Sequence, residues 1–235
     1  MVPEVVMVLP TIHNDRLPEV LQRLPPYNVV VVDSSPYPLI GFDWSSCSKA
    51  EVSYWHMKLK LGAAREWGRT AAHELFEPDY VLHVDDDVVI TDRHVSELLR
   101  TFGLDPKIGI VGTCGAHYRD LAKGRGEKIY YTTHVWCAGM MVRKEVSEAC
   151  KFDHRLSYFE DLDYCLQCWD MGYRVVENAG AWVEHDCSVW DSAVVLEAAL
   201  YLQKKWSHLP NLFKVRVEGD WIKNRVEKRV LEGWP

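Results

Sequence analysis

Apolar runs and helical stripes alternate along this chain, separated by short polar joints. "EVVMVLP" (Glu4–Pro10) is continuous, β-branched and stopped by proline, which predicts a buried strand. "RLPEVLQRL" then sets Leu17, Val20, Leu21 and Leu24 at helical spacing, and "NVVVVDSS" predicts a second buried strand ending in Asp33. Strand, helix and strand with short joints is the signature of a parallel α/β sheet. Residues 34–56, rich in Ser and Pro, read as irregular. A helix over "KLKLGAAREWGRTAAHELF", a strand over Tyr80–Val84, a helix over "RHVSELLRTF" and a strand over "KIGIVGT" continue the alternation. Residues 115–128 read as a surface loop. "IYYTTHVWCAGMMVRKEV" resumes strand character, and "RVVENAGAWVEHD" predicts two short strands. Between them, "FEDLDYCLQCWDMGY" carries a helical stripe of Phe159, Leu162, Cys165, Leu166 and Trp169. Val194–Trp206 predicts one more helix.

Composition narrows the class. With 235 residues and 48% hydrophobic content, the chain holds one large domain or a domain plus an extension. No apolar stretch has membrane-spanning length and no basic-then-apolar leader opens the chain, so the expectation is a soluble, cytoplasmic protein. Seven scattered cysteines do not suggest a disulfide framework, and a net charge of −7 argues against nucleic acid as partner. The charge is uneven. Lys204–Glu232 holds eight Lys or Arg against four Asp or Glu, leaving −11 for the remainder. "DWIKNRVEKRVLEGW" spaces Ile222, Val226, Val230 and Trp234 as the apolar side of a basic amphipathic helix. Such a helix packs on the domain or another subunit of a homo-oligomer, or lies peripherally on an anionic membrane. The expected division is therefore a body over 1–187 and a helical, basic extension over 188–235.

Three consecutive aspartates, Asp85, Asp86 and Asp87, follow the strand at Tyr80–Val84. If the strand stays extended, Asp85 and Asp87 face one way and Asp86 the other. Two carboxylates at a strand's C-terminal end suit Mg2+ or Mn2+, although aspartates also simply end strands and cap helices. "FEDLD" puts Glu160, Asp161 and Asp163 in the first turn of a helix, where acids complement the dipole or one serves as general base. His185 in "AWVEHD" would complete a mixed N/O site with Asp87. Cys165 and Cys168 have C-x-x-C spacing inside a periodic helix with no second pair, and core packing is the better reading.

In this order, the residues resemble the GT-A glycosyltransferases, most closely the family-2-like group. The resemblance rests on Pro10-Thr11 ending the first strand, Asp33 ending the second, the Gly62–Arg65 stretch and the Asp-x-Asp of Asp85 and Asp87. Gly139, Asp153, the Glu160-Asp161 pair opening a helix, and His185 follow in turn. It covers about residues 4–185 and departs at Ile12-His13-Asn14, Ser34-Ser35-Pro36 and Glu66. It implies a Rossmann-like, mainly parallel sheet flanked by helices, and transfer of a sugar from a UDP- or GDP-sugar to an acceptor hydroxyl with inversion. Asp161, seconded by Glu160, is implied as the catalytic base. Pro10, Thr11, Asp33, Arg65, Asp85, Asp86 and Gly139 are implied to bind the nucleotide sugar, with Arg65 on the donor phosphates or orienting Asp33. Asp85, Asp87 and His185 are implied to hold Mn2+ or Mg2+. A glycan, a lipid-linked molecule or a protein would be the acceptor. Two rivals remain: a sugar-phosphate nucleotidyltransferase, whose Gly-rich loop is not found in "PTIHNDR", and a non-catalytic nucleotide- or carbohydrate-binding protein of the same fold.

Overall fold

The computed structural model describes residues 3–44, 51–115, 129–183 and 192–208, together with the backbone of 215–218, 221–224 and 229–230. The strands are β1 (Val5–Thr11), β2 (Asn28–Asp33), β3 (Val52–His56), β4 (Tyr80–His83), β5 (Ile108–Gly115), β6 (Ile129–Tyr131), β7 (Met140–Arg143), β8 (Arg174–Val183), β9 (Val215–Glu218), β10 (Trp221–Asn224) and β11 (Arg229–Val230). The helices are α1 (Leu17–Arg23), α2 (Leu61–Phe76), α3 (Asp92–Phe102), α4 (Lys144–Ala149), α5 (Glu160–Asp170) and α6 (Ser192–Lys205). A 3-10 turn, Cys137–Gly139, leads into β7.

Among the described residues, nine strands form one sheet in the order β11-β6-β8-β5-β7-β4-β1-β2-β3. The β4-β1-β2-β3 half is parallel, whereas β7 runs antiparallel to both β4 and β5. Every residue of β1 is buried, as a central strand covered on both faces requires. Val5, Met7 and Leu9 pack with Leu17 and Leu21 of α1 and Val95 and Leu98 of α3. Val6 and Val8 point the other way, against Ala64, Ala71 and Ala72 of α2. Gly68 lets α2 settle on β1, since a Cβ there would stand 2.4 Å from Val8 Cγ1. An α/β fold with a central sheet between helices is thus what the chain adopts.

Four local expectations change. The irregular stretch 34–56 contains β3, whose "VSYWH" is rich in β-branched and aromatic residues and forms the sheet edge. The two short strands of "RVVENAGAWV" are one strand, β8, with a register shift against β5 between Thr113 and Cys114. That irregularity is filled by buried Asn178, which donates to Thr101 Oγ1 at 2.9 Å and accepts from the Gly180 N–H at 2.8 Å. In "IYYTTHVWCAGMMVRKEV", β6 and β7 are separated by the 3-10 turn. Finally, no helix occupies 221–224 or 229–230: β10 pairs antiparallel with β9, and β11 adds to the edge strand β6. The β-branched and aromatic residues of that tail find ladder partners, so the amphipathic helix on which membrane contact was premised is not the structure of those segments. The helix after residue 190 does form. α6 packs on α5 through Leu162, Leu166, Ala198, Leu202 and Trp206. Among the described residues, no helix is long and apolar enough to cross a membrane. Cys165 and Cys168 are buried, free thiols in the core, as their helical stripe implies.

Candidate functional site

Because β1, β2 and β4 are parallel, their C-terminal ends share one edge of the sheet, and Thr11, Asp33 and the aspartate triplet meet there. The triplet is not extended strand. β4 ends at His83, and Val88 N–H closes a turn on the Asp85 carbonyl at 3.3 Å, so strand alternation does not decide how the three carboxylates point. Asp86 turns toward β1, where Thr11 Oγ1 donates to its Oδ2 at 2.5 Å. Burial, then the charges of Asp87 and Asp85, push the Asp86 carboxyl above its usual range in spite of that bond. Asp85 turns instead toward α2, and Arg65 Nη2 reaches its Oδ1 at 2.5 Å.

Arg65 is the hub of the site. Its side chain is only 2% exposed, and its Nε lies 3.2 Å from Glu160 Oε1 at the head of α5. One guanidinium therefore joins residues 65, 85 and 160, far apart in sequence. Its partners are the two acids, not Asp33. Gly62, one turn earlier, seats the start of α2: its N–H donates to the Leu156 carbonyl at 3.1 Å, and a Cβ would stand 2.4 Å from the Asp153 carbonyl. The close approach that demands glycine here also brings Arg65 to Glu160.

Helix α5 begins from a strained residue. Phe159 has φ +61° and ψ 18°, left-handed and unusual for a large side chain. Such a conformation costs of order 1–3 kcal/mol and persists where surrounding contacts over-determine it. It turns the chain so that Glu160 and Asp161 stand together. Burial, then the neighbouring Asp161 charge, raises the pKa of Glu160, with Arg65 opposing. Burial pushes Asp161 the same way but is outweighed. His134, whose Nε2 lies 3.3 Å from Asp161 Oδ2, the Leu162 N–H at 2.7 Å from Oδ1, and Arg65 together hold Asp161 below the ordinary carboxylate range. The two adjacent carboxyls are thus shifted in opposite directions, which favours the proton on Glu160 and the charge on Asp161.

Asp33 reaches the expected edge but is wholly buried. Its Oδ1 accepts from the Ser35 N–H at 2.8 Å and from the Ser35 hydroxyl. Its Oδ2 accepts from Asn14 Nδ2 at 3.1 Å and Tyr54 Oη at 2.5 Å. Burial raises its pKa, and these donors more than reverse the effect. Asp33 thereby binds the loop after β1, the loop after β2 and strand β3 into one rim. Pro10 is buried within β1. Gly139 is pressed against Thr113, whose Oγ1 would stand 2.5 Å from an added Cβ, so packing accounts for the glycine. His185 and the loop 116–128 lie outside the described residues.

No protein-family model and no curated protein matches this chain by sequence. Solved structures do. Mannosyltransferase PcManGT from Pyrobaculum calidifontis, in complex with GDP-Man and Mn2+, superposes with a TM-score of 0.62 at 16% identity, over 89% of this chain and 64% of that one. S. aureus TarS 1–349 with UDP gives 0.57 at 16% identity, over 85% of this chain and 65% of that one. The same protein with UDP-GlcNAc gives 0.58 at 14% identity. The chain shares the α/β fold of these glycosyltransferases. It spans less than two thirds of the mannosyltransferase's own length.

The aspartate triplet, among the described residues, offers carboxylate oxygens at the sheet edge, which suit a hard divalent cation. Among the described residues, no three His, Cys, Asp or Glu side chains are gathered as a ready-made metal cage. A cation bound through one or two carboxylates, with the remaining positions taken by water and substrate phosphate, needs no such cage. The carboxylates present fit that type of site. Sequence reasoning did not single out His134, named Asn14 only as a departure from the family pattern, and left Asp163 undivided from the other acids of the first helical turn. Asp163, fully buried, accepts from Trp206 Nε1 and Lys205 Nζ, both at 2.8 Å, and from Gln167 Nε2 at 3.0 Å. It anchors α6, and "FEDLD" alone does not separate it from the acids of the cleft.

Proposed function

We propose that this protein is a metal-dependent GT-A glycosyltransferase that moves a sugar from a nucleoside-diphosphate sugar to an acceptor hydroxyl with inversion. The observation that carries the reading is the bridge through Arg65, which brings the carboxylate of Asp85 and the pair Glu160-Asp161 to one cleft at the strand ends. Asp85 and Asp87, with His185, would hold Mn2+ or Mg2+. That ion supplies Lewis-acid stabilisation of negative charge on the departing diphosphate. Asp161, ionised by its surroundings, accepts the proton of the acceptor hydroxyl. The acceptor oxygen bonds to the anomeric carbon from the face opposite the diphosphate, which leaves with the electron pair. Asp86, fixed by Thr11, and the rim organised by Asp33 shape the nucleotide end of the cleft. The acceptor is a glycan, a lipid-linked molecule or a protein.

The test is a thermal-shift panel of nucleoside diphosphates with and without Mn2+, since a ligand bound only by the folded state raises apparent stability. UDP or GDP should raise Tm in Mn2+ and far less in EDTA. No shift with any nucleotide in Mn2+ removes the reading.

A further inference from the structure

The pair formed by His134 and Asp161 is not accounted for by a base acting alone. Asp161 opens α5, while His134 comes from the segment between β6 and β7, and its Nε2 stands 3.3 Å from Asp161 Oδ2. The other carboxylate oxygen is taken by the Leu162 N–H at 2.7 Å. Both oxygens are thus engaged from fixed directions, which leaves the carboxylate little freedom to rotate.

The histidine is itself held from several sides. Thr132 Oγ1 donates to the His134 carbonyl at 3.0 Å and accepts from its N–H at 3.4 Å. The Thr132 N–H donates to the Val175 carbonyl of β8 at 3.0 Å, and Trp169 Nε1 of α5 donates to the Thr132 carbonyl at 3.2 Å. The next residue, Val135, is packed so closely on β5 that a Cβ on Gly112 would lie 2.3 Å from its own Cβ. A segment clamped to β5, β8 and α5 at once provides a rigid mount for a side chain. His134 and Asp161 both keep partial solvent access, 14% and 16% of their side chains exposed.

We propose that His134 is a positioning residue for glycosyl transfer, donating from Nε2 to Asp161 so that the carboxylate is held in the orientation that receives the acceptor's proton. This rests on the glycosyltransferase reading above. Asp161 takes the proton, and His134 orients it. Among the described residues, the charged and titratable groups around the pair are Glu160 and the Cys165 thiol on α5, Arg65 from α2, Asp85 from the turn after β4 and the Cys137 thiol of the 3-10 turn. Burial raises the pKa of Asp161 and the neighbouring His134 is the chief influence that holds it low, so removing His134 also lifts the pH at which Asp161 ionises.

The experiment compares parent, His134→Ala and His134→Gln for release of UDP or GDP from nucleotide sugars in Mn2+ as a function of pH, alongside nucleoside-diphosphate affinity and Tm. A misplaced catalytic group costs up to about a hundred-fold in rate. His134→Ala should therefore lose about ten- to a hundred-fold in kcat with nucleotide affinity unchanged, and the acid limb of its pH profile should move to higher pH. His134→Gln, which keeps an N–H donor at similar reach, should lose less than ten-fold. Unchanged kcat in His134→Ala, or a Gln variant as slow as Ala, overturns the positioning role. So does a loss in His134→Ala that is entirely a loss of Tm. Should His134→Ala fail to fold, the Gln variant's rate and pH profile decide. Failure of the parent to bind any nucleoside diphosphate in Mn2+ would instead remove the glycosyltransferase reading.

Discussion

Arg65→Met takes a guanidinium away from two carboxylates, Asp85 Oδ1 at 2.5 Å and Glu160 Oε1 at 3.2 Å. Losing one partner of a buried ion pair costs about 3–5 kcal/mol, because the remaining charge is left uncompensated. Two features put this case at the lower end. Asp85 keeps 23% of its side chain exposed and finds water. Glu160, only 6% exposed, is already driven toward its neutral form by burial and Asp161, and escapes by keeping a proton. A loss of about 3 kcal/mol, at about 2–4 °C per kcal/mol for a chain of this size, lowers Tm by about 6–12 °C near pH 8. The pH dependence has a definite sign. The folded-state pKa of Glu160 lies above its unfolded value, and removing Arg65 lifts it further. Such an acid costs stability above its unfolded pKa, and because the parent's Glu160 already holds its proton below about 8, the extra deficit of the variant grows as pH rises through that value and fades below it. The assay is thermal and urea unfolding of Arg65→Met and Arg65→Met/Glu160→Gln against the parent across this range. The double variant should regain part of the loss at alkaline pH, because Gln needs no counter-charge. A deficit that is constant with pH, or deepens toward acid, refutes the argument.

Asp161→Asn should abolish sugar transfer while leaving Mn2+-dependent nucleotide binding near the parent's; full turnover in that variant would take the base role away from Asp161. Asp87→Ala should weaken nucleotide affinity in Mn2+ and change little in EDTA, as isothermal titration would register; equal affinity in Mn2+ speaks against its metal role. Asp163→Ala strips Lys205 and Trp206 of a fully buried partner and should cost about 3 kcal/mol, read from the urea midpoint; an unmoved midpoint means that the latch contributes nothing.

The sheet was legible where burial on both faces leaves continuous apolar runs, as in "VVMVL" and "NVVVVD", and the helices where one stripe faces the sheet. β3 was hidden because an edge strand is only half buried and its pattern dissolves among loop residues. At 221–224 and 229–230 the tail misled because Ile222 and Val230 fit a helical stripe, while pairing with a neighbouring strand is a tertiary choice that spacing does not encode. At the site, sequence order put Asp33 at the end of β2, Asp85 just after β4 and Asp161 in the first turn of α5. What each carboxylate touches was not readable. Asp33's four donors, the Arg65 bridge and the approach of His134 to Asp161 all join segments distant along the chain. The triplet's geometry was missed for a local reason: the strand ends at His83, two residues before the first aspartate.

The acids at the head of α5 look in two directions. Glu160 meets Arg65 and Asp161 meets His134, whereas Asp163, less than one helical turn on, grips Lys205 and Trp206, with Lys205 and Tyr201 also bound to Asp153. A chain shortened to residues 1–187 would keep both aspartates buried while losing these partners. Exchange of C-terminal modules among related proteins is therefore constrained here. A replacement tail would have to deliver a cation and an indole N–H to the same spot, or the helix that carries the proposed base would shift with the graft.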